Sequence, residues 1–403
     1  MQRAALHLVV LLLALALVPG ASQAAPAEGE AAGEAKAPSW KTSRKSALNF
    51  ELGFDSNARR ASSDTATLLL SPDLMAYLFG SSEWAMARPG HLLRAELEIG
   101  GKLFWLTPAE NMLAGRLRLS HDHLLSRRTV LAVSGSYQDK LQRGDDPDDV
   151  LGTELACTTQ GSIATETTRC NARDYRAANL EAGLDLRASE AVSSSWRLGA
   201  MALDYKPSRQ FSFLAPRTSL DLRWRISLRH ALAAHADLAY RLYHPDSVTW
   251  QLVPSGSGTV VLADPDTPRR EWAPTLRLGW SYRSRVMVSV NGAVSRTFNN
   301  SYGLDAWRLR LDASLAWNLR PGTNLVLNVA VQSSHYPEGN VLRGLSLQGD
   351  ESEQQNALTL RFSQMLGKTF SLVFKAQLYA NELSGEVLPF RRLLLQAGLA
   401  SRF

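Results

Sequence analysis

Beyond residue 46, apolar and polar residues alternate with a period of two through successive segments of roughly a dozen residues each. The clearest runs from Trp307 to Asn318. One face carries Trp307, Leu309, Leu311, Ala313, Leu315 and Trp317; the other carries Arg308, Arg310, Asp312, Ser314, Ala316 and Asn318. The two tryptophans are ten residues apart on the apolar face. At about 3.3 Å per residue and a tilt near 40°, that separation covers about 25 Å along a membrane normal, the height of the lipid-facing band of a spanning strand. Tryptophan at both edges is where a lipid interface favours an amphipathic ring.

Sixteen such segments are legible, near 46–57, 67–79, 91–104, 112–122, 129–141, 173–188, 193–206, 217–228, 231–243, 272–283, 285–298, 304–318, 323–336, 354–366, 369–381 and 390–403. Their connections alternate in length. Odd ones such as 142–172, 244–271 and 337–353 are long, whereas even ones such as Arg229-His230, Ser284 and Gly367-Lys368 are tight. Short turns on one side and longer loops on the other are the signature of an up-and-down barrel in a membrane, and an even count returns both termini to the periplasmic side. The expected fold is all-β: a single antiparallel transmembrane β-barrel of sixteen to eighteen strands over 46–403. A secreted soluble β-sandwich would also alternate, but a soluble barrel fills its interior with apolar residues and turns the polar face to water.

The N-terminus sets the compartment. Arg3 precedes a run from Ala4 to Val18 broken only by His7, and Ser22-Gln23-Ala24 supplies small residues before a cleavage point. This reads as a secretory signal over 1–24, too short to span a membrane as a helix. Residues 25–45, rich in Ala, Glu, Lys, Pro and Ser, read as a disordered periplasmic lead-in. Only two cysteines are present. Cys157 and Cys170 sit in one polar stretch, and in an oxidising compartment they read as a loop disulfide. Closing a loop of that length is worth about 3 kcal/mol in the chain-entropy model.

The last segment, Leu393-Leu394-Leu395-Gln396-Ala397-Gly398-Leu399-Ala400-Ser401-Arg402-Phe403, ends on an aromatic residue. It resembles the C-terminal strand of bacterial outer-membrane β-barrels, with Ser401 a departure from the usual apolar residue. The resemblance implies an outer-membrane location, contact with outer-membrane lipid, and recognition of Phe403 by the barrel assembly machinery.

A lipid-facing surface needs only to be apolar, so function must reside on the other face. Alternation turns Arg94, Glu96, Glu98, Arg116, Arg118 and Arg197 inward from the first half of the chain, with Glu51, Asp55, Asp122, Glu181 and Asp185. From the second half it turns Arg223, Arg225, Arg241, Arg277, Arg308, Arg310, Arg361 and Lys375 inward, with Asp221, Asp237 and Asp312 as the acids. A basic wall facing a mixed one is the expectation. Pairing between neighbouring strands accounts for part of these charges. The remainder sets a positive potential in a lumen too wide for side chains to fill. Inward Tyr77, Tyr205, Tyr243 and Tyr379 offer rings for stacking on sugars.

These features suggest a channel for a polar or anionic saccharide, in chemistry similar to barrels that export charged exopolysaccharides. The favoured case is export of a surface or secreted polysaccharide, which would call for periplasmic export partners. A general or anion-selective uptake porin and a non-conducting scaffold are the alternatives. Loop 142–172, opening on Gly144-Asp145-Asp146-Pro147-Asp148-Asp149, is a candidate for constricting the pore. No cofactor, metal site, nucleic-acid partner or catalytic group is expected. His121-Asp122-His123 looks suggestive, but alternation places both histidines on the face opposite Asp122, and no nucleophile elbow or HExxH motif is present.

Overall fold

The computed structural model describes residues 40–56, 72–107, 111–142, 175–205, 209, 212–247, 249–255, 258–264, 266–302, 304–337, 351–383 and 390–402. The expected signal sequence, Cys157 and Cys170, most of loop 142–172, and Phe403 lie outside these residues.

The strands are β1 (Lys41–Asp55), β2 (Asp73–Arg88), β3 (His91–Phe104), β4 (Met112–Ser126), β5 (Thr129–Gln142), β6 (Tyr175–Arg187), β7 (Val192–Tyr205), β8 (Phe213–Arg225) and β9 (His230–Tyr243). There follow β10 (Thr249–Ser255), β11 (Gly258–Asp264), β12 (Arg270–Arg283), β13 (Val286–Asn299), β14 (Ala306–Arg320), β15 (Thr323–Tyr336), β16 (Glu351–Met365), β17 (Phe370–Leu383) and β18 (Phe390–Arg402). Sixteen of them form one closed antiparallel barrel in chain order, with β9 joined to β12 and β18 closing on β1. β10 and β11 form a separate hairpin within the β9–β12 connection. Its Trp250 carbonyl accepts the Tyr302 amide at 2.9 Å, and its Trp250 amide donates to Ser301 Oγ at 2.8 Å, tying it to the β13–β14 connection.

Closure is the physical requirement of the setting. In lipid every backbone polar group must be satisfied within the protein, and only a sheet without edges does so. The outer surface matches: Leu309 is 59% exposed, Leu198 58% and Leu180 64%. Trp272 and Trp307 lie near one rim, and Trp196, Trp224, Trp280 and Trp317 near the other. The residues that are buried, such as Glu51, Tyr205, Tyr243 and Glu271, occupy the opposite, concave face. A closed sixteen-strand barrel with an apolar girdled exterior and a polar interior is a transmembrane barrel of the bacterial outer membrane.

Fourteen of the sixteen expected segments match a barrel strand to within a few residues. Two placements differ more. The first strand begins at Lys41, inside the stretch read as lead-in, because Lys41 to Lys45 extend the ladder by pairing with Glu83 to Ala87. The second strand is Asp73–Arg88 rather than 67–79, since Gly80-Ser81-Ser82 continues the strand instead of turning. Gly80 pairs with Leu48, and Ser82 Oγ bonds Ser46 Oγ at 3.0 Å.

Seven tight turns close the end that holds both termini of the barrel. Two of them, Arg88-Pro89-Gly90-His91 and Arg320-Pro321-Gly322-Thr323, place glycine at φ 78° and 80°, a conformation open to glycine without strain. Four others use a serine hydroxyl to accept backbone amides two or three residues on: Ser126 from Arg128, Ser189 from Ala191 and Val192, Ser227 from Arg229 and His230, and Ser284 from Val286. Counting the strand residues that flank them, the seven turns carry ten Lys and Arg and a single carboxylate, Glu190.

A folded barrel of this kind should resist SDS at room temperature and change its electrophoretic mobility on boiling, because its backbone hydrogen bonds close on themselves. Identical migration before and after heating, with complete extraction by alkaline carbonate, would contradict the membrane assignment.

Candidate functional site: the charged inner face

Opposite residues in an antiparallel ladder share a face, so the registers can be followed around the barrel. Asp312 pairs with Asn291, Asn291 with Gly279, Gly279 with Ala233 and Ala233 with Arg223. Arg283 pairs with Met287, then Ala316, Val326, Arg361, Lys375 and Gln396 in turn. On the other side Glu98 pairs with Arg116, and Glu96 with Arg118. All fifteen residues expected to line the interior fall on this one face, as do Tyr77, Tyr205, Tyr243 and Tyr379.

Part of the charge is neutralised locally. Arg94 meets Asp122 at 3.4 Å, Arg116 meets Glu98 at 2.6 Å and Arg197 meets Asp185 at 2.5 Å. The Arg197 side chain lies across Gly183, where a Cβ would sit 2.0 Å from the Trp196 carbonyl. Glycine at 183 is therefore what lets the two strands approach with an arginine between them. Further round, Arg310 grips Asp312 through Nε and Nη2 at 2.8–3.0 Å, and His235 Nδ1 contacts Asp221 at 2.7 Å.

Two residues outside the expected lining set complete this group. Arg217 bridges Glu181 at 3.4 Å and Asp237 at 3.6 Å, and buried Glu271 binds Arg241, Arg269, Tyr243 and Asn299. Arg217 directly follows Pro216, and Glu271 stands three residues before Pro274. The β8–β9 register skips Ala215 and Pro216, and the β12–β13 register skips Ala273 and Pro274. Proline has no amide to donate, and both strands begin before the segments read from 217 and 272, which left Glu271 outside.

What remains is one-sided. Arg223, Arg225, Arg277, Arg283, Arg308, Arg361 and Lys375 form no ion pair within 4 Å among the described residues. All seven stand on β8, β12, β14, β16 and β17. In the first half the corresponding group has both signs: Glu51, Glu83 and Glu96 with Lys45, Arg118 and Arg187, of which Glu96 and Arg118 are adjacent in the ladder. Among the described side chains the wall from β8 to β17 thus carries an excess of positive charge across from a nearly balanced one.

The His121-Asp122-His123 triplet is split between the faces. Asp122 points inward to Arg94, while both histidines stand outside and gather His91, whose Nδ1 lies 3.3 Å from His121 Nε2 and 3.3 Å from His123 Nδ1. The rings stack, with Trp40 at the edge of the group. His91 joins this cluster through its register with His123, a contact invisible in a local reading of residues 121–123.

No protein-family model matches the chain, and no curated protein matches it in sequence. Solved structures similar to it include the outer-membrane protein OmpT of Vibrio cholerae, lacking loop L8, at 10% identity and a TM-score of 0.44, over 90% of this chain and 99% of that one. OccAB1 of Acinetobacter baumannii aligns at 9% identity and a TM-score of 0.49, over 89% of this chain and 97% of that one. An anion-selective porin from Comamonas acidovorans aligns at 10% identity and a TM-score of 0.46, over 91% and 100% of the two chains. The likeness is one of barrel architecture.

Proposed function

We propose that the barrel is a passive outer-membrane channel whose positively biased lumen passes a polar, anionic saccharide, with export of a surface or secreted acidic polysaccharide as its physiological task. The observation that carries this reading is the set of inward cations on β8–β17 without an ionic partner among the described residues. A charge retained only to stiffen the sheet would be paired with its neighbour, as Arg116 and Arg197 are. An unpaired one offers its field and its donors to whatever enters. A sixteen-strand barrel is wide enough to stay wet, so these side chains face water rather than a packed core. Tyr77 and Tyr379 on the same face add rings suited to sugar stacking.

Deleting the gene should abolish an acidic surface or secreted polysaccharide and leave small-solute uptake intact, measured by uronic-acid assay of the cell surface and by uptake of labelled anions. Normal polysaccharide with slowed anion entry would replace export by an uptake porin. A purified barrel that conducts no ions in a planar bilayer would leave a scaffold role instead.

A further inference from the structure

We infer that the periplasmic rim is a capture collar for a linear polyanion, which loads the pore from the periplasmic side. This rests on the proposed anionic passage and adds to it a binding surface and a direction.

The turns that close the periplasmic end carry ten cations against Glu190 alone. Arg127, Arg128, Arg187, Arg229, Arg283 and Arg285 are all exposed, and none makes an ion pair within 4 Å among the described residues. Sixteen strands about 4.8 Å apart, tilted near 40°, give a rim of about 100 Å in circumference. Ten cations around it stand about 10 Å apart on average, close to the Debye length at 0.1 M salt. Their fields therefore merge into a continuous positive ring.

The ring also continues inward. Arg187 and Arg223 flank Ser193 on the inner face, and Arg283 opens the register row that leads through Met287, Ala316 and Val326 to Arg361 and Lys375. Among the described residues the opposite end has no such excess. Its rim mixes Arg176, Arg209, Arg270 and Arg296 with Asp139, Asp204, Asp246, Asp264, Asp266 and Asp305. A chain bearing many negative charges can engage several collar positions at once and hand them on to the unpaired wall. A monovalent anion engages one position at a time, so the collar discriminates by valence as well as sign.

The test uses the full-length folded barrel in nanodiscs of zwitterionic lipid, with a fluorescent oligogalacturonate as probe and anisotropy as readout. Binding should weaken as salt rises. It should fall more than tenfold when Arg127, Arg128, Arg229 and Arg285 are all changed to Gln, with heat-modifiable migration confirming the fold. Changing Arg176, Arg209, Arg270 and Arg296 to Gln instead should alter affinity by less than about twofold, although the same net charge is removed. Equal losses in the two variants would overturn the collar, as would monogalacturonate competing as well as the oligomer at equal charge. Loss of oligomer binding when phosphatidylglycerol is added to the disc would assign the ring to lipid phosphate and overturn it too. An acidic polypeptide bound more tightly than the oligomer would replace the polysaccharide by a protein partner. A wild-type pore with anion preference but no oligomer binding would sink the collar alone, whereas a pore without anion preference would sink the reading beneath it.

Discussion

Changing Arg223, Arg225, Arg308 and Arg310 to Gln should reduce or invert the ion preference of the pore while leaving the barrel folded. Three of the four stand on the inner wall without an ionic partner among the described residues, and the fourth neutralises Asp312. The substitution therefore removes four positive charges and exposes one negative one. Lumen positions tune selectivity far more than stability, because they contribute neither ladder hydrogen bonds nor lipid-facing area. Glutamine keeps length and donors, so the change isolates charge. The measurement is the reversal potential in planar bilayers under a salt gradient, with electrophoretic heat-modifiability as the check on folding. An unchanged potential would mean that ion choice is set elsewhere, for example by loop 142–172.

The second large effect is expected at the seam where the barrel closes. β1 and β18 share nine residue pairs, against fifteen between β1 and β2. At the outer end of this shorter ladder Arg392 grips Asp55 through Nε and Nη2, with both side chains almost completely buried. Ser56 adds two bonds to Leu393: its amide donates to the Leu393 carbonyl at 2.9 Å, and its Oγ accepts the Leu393 amide at 2.8 Å. Removing one member of a buried pair strands the other charge and costs about 3 to 5 kcal/mol. Arg392→Ala should therefore lower the urea midpoint of unfolding substantially. The double variant with Asp55→Ala should recover part of the loss, because the buried carboxylate is removed together with the guanidinium. A single variant as stable as the parent would show that the pair does not hold the seam.

Much of this architecture is legible in the sequence because a lipid-facing strand leaves a strong pattern. Trp307 to Asn318 cannot be read with any other period, and its two faces are those observed. Register around the barrel follows from alternation once the faces are assigned, since a one-residue slip would turn arginine to lipid. What escapes is what alternation does not encode. The strand Asp73–Arg88 is obscured by Gly80-Ser81-Ser82, small residues that pack closely inside a barrel yet look like a turn. Glu271 falls one residue before the segment read from 272, and the bridging of Arg217 to Glu181 and Asp237 depends on two neighbouring strands that alternation within one segment does not show. The β10–β11 hairpin was signalled by Thr259-Val260-Val261-Leu262 after a Gly/Ser turn, but its runs are too short to cross a membrane and so merge into the loop. Ion pairing was legible only in part. Register shows which charges are adjacent, but not that Arg118 and Glu96, though opposite, remain apart while Arg116 and Glu98 meet at 2.6 Å.

The charge bias of the lumen is the central claim, and the reversal potential of the unmodified pore tests it most directly. In a planar bilayer with a tenfold salt gradient at low ionic strength, the sign should be that of anion preference. The preference should fade as both sides are brought toward 1 M, where the Debye length shrinks from about 30 Å at 0.01 M to about 3 Å. A potential of the cation-preferring sign, or one near zero at low salt, would contradict the account.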